Sequence, residues 1–104
     1  MGHAGTKTSL LPDIIVALRA LKVESRQRYK AELKGIFGSH VRGEARPDSD
    51  LDILVEFDKG ANLLDLVGLS NFLEEKLRCP VDVVTQSALR AELKADILKE
   101  AVNL

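Results

Sequence analysis

Asp50 and Asp52 flank Leu51 at the start of an alternating run, and a Gly38-Ser39 pair stands upstream of them, all within IFGSHVRGEARPDSDLDILVEF over residues 36–57. Successive side chains of an extended chain point to opposite faces. Asp50, Asp52, Leu54 and Glu56 therefore share one face, and Leu51, Ile53, Val55 and Phe57 share the other. Two carboxylates about 5 Å apart, at an effective dielectric near 20, repel by roughly 3 kcal/mol. A fold keeps such a pair where a divalent cation or a shared proton relieves it. Gly38 lets the backbone approach a ligand closely, and Ser39 offers a hydroxyl and an N–H to a phosphate oxygen. Arg42 and Arg46, on the intervening loop, carry planar forks that suit phosphate. This combination fits in-line phosphoryl chemistry, and its oxygen-only ligands favour Mg²⁺ or Mn²⁺ over zinc. Alone, the two aspartates would read as a solvated strand edge; the Gly-Ser pair upstream decides for a site.

The elements that must position these residues follow from periodicity. Leu11, Ile14, Ile15, Leu18 and Leu21 form a stripe of helical spacing, which predicts a first helix from about Leu11-Pro12-Asp13 to Tyr29 or Ala31. A short strand from Leu33 or Lys34 to Phe37 stops at Gly38-Ser39, and Pro47-Asp48 marks a turn before a second strand, Leu51 to Phe57. Asn62 is a credible N-cap, with Asp65 three residues on, for a helix from Leu63 to Arg78. Its expected buried stripe is Leu66, Leu69, Leu73 and Leu77, with Phe72 beside it. Pro80 precedes a third strand at Val81-Asp82-Val83-Val84. Ser87 would cap a last helix from Ala88 to about Val102, with Leu89, Leu93, Ile97 and Val102 turned inward.

The order α-β-β-α-β-α describes a small α/β (α+β) domain with a short mixed three-stranded sheet flanked by helices. Strand, helix, strand over residues 51–84 is a βαβ unit, so strands two and three should run parallel. Asp82 then begins its strand at the same sheet end as Asp50 and Asp52. An antiparallel strand one brings Gly38-Ser39 to that end too. Topology thus gathers three aspartates and the Gly-Ser turn.

The chain has 104 residues, enough for one domain: a tail over 1–9 and a folded part over 10–104. A formal net charge of −1 gives no field to attract nucleic acid or anionic lipid, and no apolar run approaches a bilayer span. The opening MGHAGTKTS lacks the apolar stretch of a signal peptide. The single cysteine, Cys79, is compatible with a reducing compartment, and the expected location is the cytoplasm.

Gly38-Ser39, ten residues, then Asp50-Leu51-Asp52 resembles the signature of the polymerase-β-like nucleotidyltransferase superfamily, and GSHVRGEARPDSDLDILVEF is similar to its minimal branch. The likeness runs over nearly the whole chain. It implies a nucleotidyltransferase fold in which Asp50, Asp52 and Asp82 hold two Mg²⁺ ions and Asp82 helps activate the acceptor hydroxyl. It implies that Gly38 and Ser39 hold the β- and γ-phosphates of ATP or another nucleoside triphosphate. Many members of this branch act as antitoxins of HEPN-domain ribonuclease toxins, and studied examples transfer AMP to a toxin tyrosine, so the implied partner is a HEPN toxin, with a homodimer or a hetero-oligomer with the toxin as the implied assembly. Two alternatives stay open: neutralisation by binding alone, and transfer to a small molecule. The larger members' acceptor-binding domain has no counterpart in the sequence, which fits an acceptor supplied by a partner protein. The sequence departs from the family at His40, where arginine is common.

Overall fold

The computed structural model describes residues 11–46 and 48–104; the expected tail over 1–9 and Pro47 lie outside the described residues. Leu11–Ala20 (α1) and Lys22–Tyr29 (α2) precede the strand Ala31–Phe37 (β1) and a single helical turn, Ser39–Arg42 (α3). Leu51–Phe57 (β2), the helix Leu63–Leu77 (α4) and Val81–Thr85 (β3) follow. A 3₁₀ turn at Gln86–Ala88, the helix Ala91–Glu100 (α5) and the two-residue strand Val102–Asn103 (β4) complete the order. Among the described residues no helix is long and apolar enough to cross a membrane.

The sheet has four strands rather than three, in the order β3-β2-β1-β4. β2 and β3 are parallel, while β1 runs antiparallel to both β2 and β4. β4 escapes a reading of periodicity because two residues, one of them Asn103, carry no alternation. Gly35 admits it: a Cβ there would meet the Val102 carbonyl oxygen at 2.9 Å.

Ile14, Leu18, Leu69, Phe72, Leu73 and Leu77 of the helices close over Leu33, Ile36, Leu51, Ile53 and Val55 of the sheet to form the core. The stripe expected on α4 is present, with Leu66 only half-buried. Its start is a capping box: Asn62 Oδ1 accepts the Asp65 N–H at 3.2 Å, and an Asp65 carboxylate oxygen accepts the Asn62 N–H at 3.0 Å.

Several boundaries differ from expectation, and the last helix ends at Glu100, so that Val102, expected within it, stands in β4. The first helix breaks at Leu21, whose N–H reaches back only to the Leu18 carbonyl, and it resumes as α2. β1 starts at Ala31 rather than near Leu33, because pairing of Ala31 with Phe57 and of Leu33 with Val55 overrides the helix propensity of Ala-Glu-Leu. α5 starts at Ala91, not Ala88: Ser87 lies in the 3₁₀ turn, Leu89 is extended, and Arg90 takes the N-cap place. No residue of α5 is buried, and Leu93, expected inside, is 50% exposed.

Ser25 of α2 is fully buried, and its hydroxyl has no hydrogen-bond partner among the described residues. A buried unpaired hydroxyl is destabilising. Ser25→Ala should therefore raise the free energy of unfolding by about 1 kcal/mol in a urea titration, whereas Leu69→Ala, which empties a core position, should lower it by about 2–5 kcal/mol.

Candidate active site

β1 delivers its last residue, Phe37, opposite Asp52 of β2, and the chain turns at Gly38. Gly38 has φ +85° and ψ −155°, a conformation that favours glycine. A second constraint acts on the same residue: a Cβ at Gly38 would collide with the Asp52 carboxylate, whose Cγ would lie 3.0 Å away. The turn is therefore packed directly against the aspartate. Ser39, half-buried, opens α3, a helical turn where sequence suggested only loop; the Val41 and Arg42 N–H groups bond back to the Gly38 carbonyl. The loop beyond is held by Ser49, whose Oγ accepts the Arg46 N–H at 2.8 Å and whose N–H donates to the Arg46 carbonyl at 2.9 Å.

The parallel register sets Asp52 beside Asp82. Neighbouring residues of a parallel pair point to the same face, and Asp50, two residues before Asp52, shares it. Asp52 is half-buried while Asp50 and Asp82 are exposed. Burial raises the pKa of the Asp52 carboxyl above the ordinary range, and the charges of Asp82 and Asp50 and a hydrogen bond with Asp82 push the same way; His40 opposes them. His40 Nε2 lies 3.4 Å from the Ser49 carbonyl oxygen, beside the site rather than out in solvent.

The arginines stand differently. The Arg42 Nε donates to Glu44 at 2.9 Å, and its Nη1 donates to both carboxylate oxygens of Glu100 at 3.2 Å. Glu44 first and then Glu100 raise its pKa. Arg42 thus faces two carboxylates within the chain. The Arg46 side chain is exposed, and its backbone N–H holds the loop. Glu100 also accepts the Gly38 N–H at 3.0 Å, which makes it a member of the site that sequence reasoning did not include. No local spacing signals a residue 62 positions away; only the placement of β4 does. A separate cleft of about 500 Å³ between α2 and α4, lined by Arg28, Tyr29, Gly68 and Phe72 among others, shares no residue with these groups.

A family model described as a nucleotidyltransferase domain matches residues 18–104. The chain belongs to the nucleotidyltransferase domain family. This nucleotidyltransferase domain is 42% identical over 92 residues to the protein adenylyltransferase MntA of Thermococcus cleftensis, covering 88% of the present chain and 93% of the relative. It also superposes on a solved structure provisionally described as a minimal nucleotidyltransferase, with a TM-score of 0.75 and 40% identity, covering 88% of this chain and 94% of the other. A toxin–antitoxin structure with AMP-PNP shares the fold at a TM-score of 0.64 and 21% identity, covering 90% of this chain and 72% of the other. The superfamily is polymerase-β-like.

Nucleotidyl transfer in this family uses Mg²⁺, and the donor set is suited to it. The carboxylates of Asp50, Asp52 and Asp82 are all oxygen donors, and their mutual repulsion, felt by Asp52, is what a cation relieves. Among the described residues no three such groups close into a ready-made cage. Mg²⁺ commonly takes one or two protein carboxylates and completes its shell with water and substrate phosphates, so an open cluster is compatible with it.

The sign of the Asp52 shift gives a test. A carboxyl whose pKa is raised on folding favours the folded state below its unfolded pKa, and that contribution is lost as pH rises through its folded pKa. In chelator, Asp52→Asn should melt higher than wild type near pH 7, and the difference should shrink on descending to about pH 4. Added Mg²⁺ should raise the melting temperature of wild type and leave that of Asp52→Asn unchanged.

Proposed function

We propose that the domain transfers AMP from ATP to a tyrosine hydroxyl of a HEPN ribonuclease toxin, and that it acts as the antitoxin of that pair. The observation that carries the reading is the parallel register that sets Asp82 beside Asp52, at the sheet end where Gly38 turns against Asp52. The 42% identity to a protein adenylyltransferase over most of both chains supports a protein as acceptor. The toxin–antitoxin structure with AMP-PNP shares the fold and is consistent with a toxin partner and an adenine nucleotide.

In this reading Gly38 and Ser39 receive the β- and γ-phosphates. Asp50, Asp52 and Asp82 would hold Mg²⁺, which supplies charge neutralisation at the attacking and leaving oxygens. The acceptor oxygen forms a bond to the α-phosphorus, the bond from that phosphorus to the β-phosphate oxygen breaks, and pyrophosphate leaves with the electron pair. Asp82, exposed at the mouth of the site, takes the hydroxyl proton. Asp52, half-buried and flanked by Asp82 and Asp50, keeps its carboxylate aimed at the same point by its contact with Gly38. His40 lies next to Asp52 and opposes the rise in its pKa.

Incubation with α-labelled ATP, Mg²⁺ and a candidate HEPN toxin should label the toxin on tyrosine. Asp52→Asn should reduce the labelling rate about 100-fold or more. Full neutralisation of the toxin by an unlabelled complex of the Asp50→Asn, Asp52→Asn double variant would show that binding alone suffices. A second check is Gly38→Ala: the added Cβ displaces Asp52, and labelling should fall about tenfold or more while the far-ultraviolet circular dichroism spectrum is retained.

A further inference from the structure

Glu100 ends α5, far along the chain from Gly38, yet its carboxylate meets the phosphate turn from the flank opposite the aspartates. The rungs between β1 and β4 pair Gly35 with Asn103 and Ile36 with Val102. Carried two residues further, that antiparallel register would bring Gly38 opposite Glu100. The chain is helical there: the Ala101 N–H still bonds to the Ile97 carbonyl at 2.9 Å, so the ladder has ended. Gly38 is buried, and a buried N–H needs an acceptor. The Glu100 side chain supplies it at 3.0 Å, in place of the missing rung. The same carboxylate takes both bonds from Arg42 Nη1, at the end of α3. One anion thus grips the turn at its entry and at its exit.

These contacts favour a supporting role for Glu100 over competition with the ligand. Asp52 approaches Gly38 from the β2 side, whereas the Gly38 N–H points toward β4. The Gly38 N–H and Arg42 lower the Glu100 pKa, so the group stays charged and bound across the neutral range. The turn is left with few ways to relax: φ is in the glycine region, Asp52 blocks one flank and Glu100 ties the other.

We propose that Glu100 is the positioning residue of the phosphate turn: through the Gly38 N–H and Arg42 it fixes the Gly38-Ser39 peptide, and so sets affinity for the polyphosphate part of the nucleotide. This rests on the nucleotidyl-transfer reading of the same site. Glu100 itself contacts no phosphate. Its effect is therefore confined to ligands long enough to reach the turn.

The test compares α,β-methylene ATP with AMP by titration calorimetry in Mg²⁺, on the full chain. Glu100→Ala should weaken binding of α,β-methylene ATP about tenfold, the effect of losing one charge-assisted bond, and leave AMP unchanged. Glu100→Gln, which retains a carbonyl acceptor for the Gly38 N–H, should recover most of the loss. Tighter binding of α,β-methylene ATP by Glu100→Ala would overturn the proposal, since Glu100 would then be a competing anion. Equal losses for both nucleotides, or no loss, would overturn it too. If Glu100→Ala does not fold, Glu100→Asp serves, its carboxylate one methylene short of Gly38; wild-type affinity in that variant would sink the assignment. Wild type that binds neither nucleotide would remove the nucleotidyl-transfer reading and the role of Glu100 with it. Wild type and variants that bind alike would remove only the role of Glu100.

Discussion

Half-burying a carboxylate between two others is unfavourable, and the sheet is built so that Asp52 has nowhere else to go. Its strand is central, with β1 on one side and β3 on the other. The residue after Phe37, its partner on β1, is a glycine whose missing side chain leaves room for the carboxylate, and the residue beside it on β3 is another aspartate. The strain falls on ionisation rather than on packing, because the core beneath, with Leu51, Ile53 and Val55 all at 0% exposure, is intact. An arrangement that stores like charge in a rigid frame is useful when a cation arrives with a polyphosphate, since the cation offsets the negative charge of both.

The frame is rigid for ordinary reasons. α4 is capped at its start by Asn62 and Asp65, packs against α2 and β3, and buries Leu69, Leu73 and Leu77 in the common core. The βαβ crossover that this helix completes forces β3 to run with β2, and parallel running is what brings Asp82 level with Asp52 rather than to the far end. The site therefore inherits its geometry from a helix that contributes none of its named residues.

Much of this was legible in the sequence, for identifiable causes. The alternation after Asp50, the asparagine three before Asp65, and the Gly-Ser pair each leave a local mark, and the βαβ rule converts them into spatial neighbours. The parts that stayed hidden depend on long-range partners. Ala31 and Glu32 favour helix and become strand only because β2 is there to pair with them. β4 is too short to show a period, and Glu100 enters the site only through β4. Arg42 was legible as a cation on the right loop but not as one already held by Glu44 and Glu100.

One irregularity in β1 governs all of this. Leu33 pairs with Val55 and Gly35 with Leu54, so Lys34 is a residue that β1 has and β2 lacks. Across it the core-facing positions pass from odd, Ala31 and Leu33, to even, Ile36. The phase of the strand tip, and with it the orientation in which Gly38 meets Asp52, is thus fixed in mid-strand by a count of residues. Such a strand tolerates exchange of side chains at Lys34 far better than any change in its length, because deleting one residue there would rotate the turn to the wrong side of the sheet.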